Sequence, residues 1–79
     1  MRYCLTIPPS CATMGMVGFL FDLKDDNTVI DPGSWGTSIY VYHPDPEFLQ
    51  AMKELAQEAA KELTKDVPDF SIVEVYPQG

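Results

Sequence analysis

Tyr3, Leu5 and Ile7 alternate with Arg2, Cys4 and Thr6, a period of two that predicts a half-buried strand ended by Pro8-Pro9-Ser10. From Met14 to Leu23 the chain is apolar almost without interruption. Gly15 and Gly18 in that run suit a strand better than a helix, so a central strand is expected there. Lys24-Asp25-Asp26-Asn27 has the composition of a hairpin tip, after which Thr28-Val29-Ile30 is long enough to pair back. Asp31-Pro32-Gly33-Ser34 reads as a second turn, with proline setting one φ and glycine freeing another. Thr37 to His43 is β-branched and aromatic and stops at Pro44, which predicts a further strand. In it Ile39 and Val41 share one face, and Tyr40 and Tyr42 share the other.

One amphipathic helix is predicted from Asp45 to about Lys65. Asp45 supplies an N-cap, Pro46 fits the first helical position, and Glu47 complements the positive end of the dipole. Phe48, Leu49, Met52, Leu55, Ala56, Ala59, Ala60 and Leu63 recur every three or four residues, and the alanines permit close approach to a sheet. Lys61 and Lys65 suit the helix end, and Pro68 forbids continuation. Phe70 to Tyr76 then reads as a last strand. The expected fold is one compact α+β domain over residues 1–79 with the order β-β-β-β-α-β. It is a two-layer sandwich of an antiparallel sheet, four to five strands wide, with a single helix across one face. One helix cannot cover both faces, so the far face is wet, covered by a loop, or covered by another protein.

Charge changes this picture more than composition does. With 46% hydrophobic and 22% charged residues the 79-residue chain has the make-up of a folded protein. Its size leaves little core from which to build a large enzyme cleft. Twelve acids against five bases give a net charge of -7, which repels phosphate backbones and anionic lipid. Direct binding to nucleic acid or to a membrane is therefore disfavoured, whereas a basic protein surface is attracted. The first apolar run is too short for a signal-peptide core or a membrane span, so a cytoplasmic protein is expected, with Cys4 and Cys11 reduced.

Candidate chemistry is sparse, and no cofactor or metal is expected. Cys4, Cys11 and His43 lack zinc-site spacing, and Asp22, Asp25, Asp26 and Asn27 lack the calcium-loop pattern, so a solvated turn is the better reading of the acids. His43 is the only histidine, and a structural role suits it better than a metal-ligand or general-base role. Cys11, after a turn, is the more exposed thiol, and Cys4 reads as a small buried hydrophobe. No catalytic carboxylate pair stands out, and the glycines match no phosphate-binding loop.

Two features favour binding instead. Tyr40 and Tyr42 line the sheet face away from the helix and, with Trp35, offer the residue types that dominate interfaces; the alternative is that they cap the sheet edge or pack beneath the Asp31 to Gly36 loop. Glu54, Glu58 and Glu62, at four-residue steps, form a negative ridge that either aids solubility or imitates phosphates in a basic groove. In size, charge and architecture the chain resembles the small acidic blockers that phages and mobile elements make against nucleases or CRISPR effectors, and the immunity proteins that neutralise nuclease toxins. No motif carries that likeness. It implies a non-enzymatic inhibitor acting in the cytoplasm, the host cytoplasm if phage-encoded, on a basic partner such as a nuclease or CRISPR effector. The rival expectation is an assembly subunit that forms a homodimer through Tyr40 and Tyr42; a small thiol enzyme using Cys11 and His43 is the third.

Overall fold

The computed structural model describes residues 2–33 and 36–75. Four strands, β1 (Arg2–Ile7), β2 (Val29–Asp31), β3 (Ile39–His43) and β4 (Ser71–Val75), form one antiparallel sheet in the order β2-β3-β1-β4. Two helices, α1 (Met14–Leu23) and α2 (Pro46–Lys61), complete an α+β fold. In chain order the elements run β-α-β-β-α-β with β1 and β3 central, the split-βαβ or ferredoxin-like topology.

The expected α+β class and antiparallel sheet are found, but Met14 to Leu23 is a helix rather than a central strand. Thr13 caps it, its hydroxyl accepting from the Met16 amide at 3.1 Å. Met16 and Leu20, one turn apart, are buried, while Met14, Gly15, Gly18, Phe21 and Asp22 are exposed. An apolar run of this kind hides its period, and its ten residues are long for a strand and sufficient for a helix. Both glycines lie on the solvent side, where their cost of about 1 kcal/mol each is outweighed by burial of Met16 and Leu20 at about 1.5–3 kcal/mol each. With α1 helical, Lys24 to Asn27 is a helix-to-strand connection rather than a hairpin tip. Residues after it pair with β3 instead of folding back on 14–23.

α2 begins as expected: Asp45 accepts from the Glu47 amide at 2.9 Å, with Pro46 next to it. It stops at Lys61, four residues short of the expected end, where the Leu63 and Thr64 amides both turn back to the Ala60 carbonyl. Leu49, Met52, Ala56 and Ala60 face the sheet; Leu55 and Leu63, assigned to the same stripe from their spacing, are exposed. The stripe is thus narrower than the sequence periodicity suggests. Between β2 and β3 the chain turns at Gly33 with φ +63°, where a Cβ would lie 2.5 Å from the Thr37 hydroxyl oxygen, so only glycine fits.

A single core joins the layers. Leu5, Ile7, Ile39 and Val41 enter it from the sheet, Met16 and Leu20 from α1, Leu49, Met52, Ala56 and Ala60 from α2, and Phe70 from the residue just before β4. Cys11, expected to be exposed, is buried in this core behind a short 3-10 turn over Pro9–Cys11. Cys4 is buried too, and both thiols are free.

Candidate interaction surfaces

Strand alternation places every second residue of the sheet on the side away from the helices. Registers align Val29, Tyr42, Cys4 and Val73 in one row across the four strands. Asp31, Tyr40, Thr6 and Ser71 form the next row, and Arg2 and Val75 begin a third. Tyr40 and Tyr42 thus share the outer face, while Ile39, Val41 and His43 of the same strand are buried. Among the described residues, three large apolar side chains stand exposed there: Val29, Tyr40 and Val73, at 52%, 38% and 52%.

Cys4 lies beneath its neighbours on this face. Burial pushes its thiol pKa up, opposed in part by hydrogen bonding with Thr6 and Tyr42. The Tyr42 phenol is also raised, first by burial and then by the nearby Cys4, Asp31 and Tyr40. Both groups are therefore neutral at pH 7. Among the described strand residues, Arg2 and Asp31 are left as the only charges on the outer face.

The other predicted set lies on the opposite layer. Glu54 and Glu58 stand on the solvent side of α2 and Glu62 at its C-cap, all exposed. Lys61 reaches Glu58 at 3.1 Å, a solvent-exposed pair worth a few tenths of a kcal/mol, about 0.3–0.5. Gln57 donates to Asp69 at 3.4 Å, and a shallow depression lies among Glu54, Gln57, Glu58 and Lys61. Because α2 and the tyrosines flank the sheet from opposite sides, one flat partner surface meets the carboxylates or the tyrosines, not both. Trp35 lies outside the described residues.

One constellation was not legible beforehand. His43, only 5% exposed, stacks on Phe48 with ring centroids 4.1 Å apart. Its Nδ1 accepts from the Asp45 amide at 2.9 Å, so Nδ1 carries the lone pair and Nε2 the proton in the neutral ring. Nε2 donates to the Asp25 carboxylate at 3.0 and 3.1 Å. Asp25 also accepts from the Thr28 hydroxyl at 2.7 Å and the Asn27 amide at 2.9 Å. Its carboxyl is held down to about 2, chiefly by the hydrogen bond from His43 and then by that from Thr28. Asp25 is thus not a free turn acid but the anchor of a clasp joining the α1–β2 connection, the end of β3 and the start of α2. Both imidazole nitrogens are engaged by the protein, and Cys11 belongs to the core. The Asp25-x-x-Thr28 spacing hints at the local turn, but nothing local in sequence points across it to His43. Among the described residues no group of three or more His, Cys, Asp or Glu is placed to hold a metal ion, and no helix is long and apolar enough to cross a membrane.

No protein-family model, no curated protein and no solved structure matches the chain.

Proposed function

We propose that the protein is a non-enzymatic binding module that docks the acidic outer face of α2 onto a basic surface of a nucleic-acid-handling partner and blocks it. A nuclease or CRISPR effector has the required surface, and the role is that of a phage-encoded anti-CRISPR or an immunity protein acting in the cytoplasm. The row Glu54, Glu58 and Glu62 carries this reading. Its carboxylates are exposed, and their backbone positions rise by about 6 Å from one to the next along α2 and its C-cap. Lysines and arginines that grip a phosphate backbone accept such a row equally well, and occupying them excludes the nucleic acid. Lys61 tempers only one member of the row through its contact with Glu58.

The test is inhibition of nucleic-acid binding by purified nucleases and CRISPR effector complexes, titrated with the protein over a salt series. Inhibition is expected to weaken as salt rises, and the triple variant E54Q/E58Q/E62Q to bind at least about tenfold more weakly. Inhibition that is indifferent to salt and undiminished in the triple variant contradicts the proposal.

A further inference from the structure

We propose that the outer sheet face is a self-complementary surface on which a second copy of this chain docks face to face, about a twofold axis passing through Tyr42. Two observations carry this. First, the face gathers exposed Val29, Tyr40 and Val73 around half-buried Tyr42, with no helix among the described residues to cover it. Second, its two charges have opposite sign and occupy symmetric positions about that tyrosine. Arg2 is two residues along β1 from Cys4, the cross-strand partner of Tyr42 on one side. Asp31 is two residues along β2 from Val29, its partner on the other side. Antiparallel pairing sends these two displacements in opposite directions, so Tyr42 lies midway on the diagonal from Arg2 to Asp31. With strands about 4.8 Å apart and about 3.3 Å per residue, the diagonal is roughly 16 Å long.

A twofold axis lying in the interface, perpendicular to that diagonal at Tyr42, carries Arg2 over the Asp31 position and Asp31 over the Arg2 position. An isologous contact then contains two Arg2–Asp31 pairs, one at each end, with the Tyr42 rings meeting at the centre. The net charge of -7 does not oppose this mode, because it sends the acidic helices outward. At about 10 Å per layer the two α2 ridges are separated by roughly 30 Å. That is several times the Debye length of about 8–10 Å at moderate salt. The footprint, four short strands wide, belongs to the small and weakly associating class of interfaces. The acidic ridge proposed above to bind a basic partner stays exposed in this assembly, so the two proposals stand or fall separately.

The experiment is sedimentation equilibrium of the full chain from about 10 μM to about 1 mM, a range suited to a weak association. Dimerisation is expected for the wild type. R2E and D31R, each placing like charges at both ends of the contact, are expected to weaken it by about tenfold. The double variant R2E/D31R, which restores opposite signs with the roles exchanged, is expected to recover wild-type association. Since the two positions are far apart within one copy, recovery cannot come from a contact inside a single chain. Far-UV circular dichroism checks that each variant is folded. Should either single variant unfold, Y42D, which sets two carboxylates on the axis, replaces it and is expected to leave a monomer. A wild type that stays monomeric at the highest concentration overturns the proposal, and so does a dimer that the charge reversals leave intact.

Discussion

The two faces of the sheet are built from the same four strands, yet alternate residues have opposite environments. Inward, Leu5, Ile7, Ile39 and Val41 have no more than 1% of their surface exposed; outward, Val29, Tyr40 and Val73 remain 38% to 52% open to water. The difference is one of cover as well as of composition: the outer rows add Arg2, Thr6, Asp31 and Ser71, yet Val29 and Val73 there are as apt for burial as the residues on the other side. Among the described residues, two helices on one side and none on the other make the inner face a determinant of stability. The outer face, uncovered by any described helix, is the one on which the dimer proposal rests.

The comparison is broken most forcefully by truncating both sides. Leu5→Ala opens a cavity in the inner face and is expected to cost about 2–5 kcal/mol in urea unfolding, out of a total of about 4–12 kcal/mol for a chain of this length. Val73→Ala on the outer face is expected to stay within about 0.5 kcal/mol under the same conditions. Comparable losses at the two positions would mean that the outer face is covered within a single copy.

Acid sharpens the picture at the edge of the inner face, where His43 and Asp25 meet. In the unfolded chain an aspartate takes up its proton near pH 3.9, whereas in the native clasp Asp25 holds out to about 2. The native state is therefore the weaker proton binder. The clasp's contribution is complete above about pH 4 and is lost as pH falls from there to about 2. In urea unfolding from pH 7 to pH 2, Asp25→Asn is expected to be the less stable protein at neutral pH, with the gap to wild type closing over that lower interval. A gap that stays constant with pH would show that Asp25 does not act through its charge.

The smallest effect concerns α1. Gly18 is in a helix with nothing within 4 Å of where a Cβ would go, so Gly18→Ala is expected to raise stability by about 0.5–1 kcal/mol in thermal unfolding. A loss of stability there would speak against a solvent-exposed helical position.

Legibility in the sequence followed from how local each signal was. Asp45, Pro46 and the spacing of Leu49, Met52, Ala56 and Ala60 marked the start and inner side of α2, because caps and periodicity are properties of neighbouring residues. The alternation in Thr37 to His43 placed Tyr40 and Tyr42 on one face for the same reason. α1 is hidden in the sequence because a run with hardly a polar residue has no visible period, and its two glycines favour a strand. The meeting of Asp25 with His43 spans eighteen residues and depends on α1 being helical. Likewise, the symmetric placement of Arg2 and Asp31 about Tyr42 needed the order β2-β3-β1 and the register of each pair, neither of which a linear pattern contains.

The central position of β1 bears on how the molecule is made. Its partner β4 leaves the ribosome after the other three described strands, so Arg2–Ile7 emerges ahead of it and keeps one edge unsatisfied until residues 71–75 have followed. Nearly the whole described chain must be synthesised before the sheet can close, and a nascent polypeptide halted short of Ser71 presents an open backbone ribbon to its surroundings.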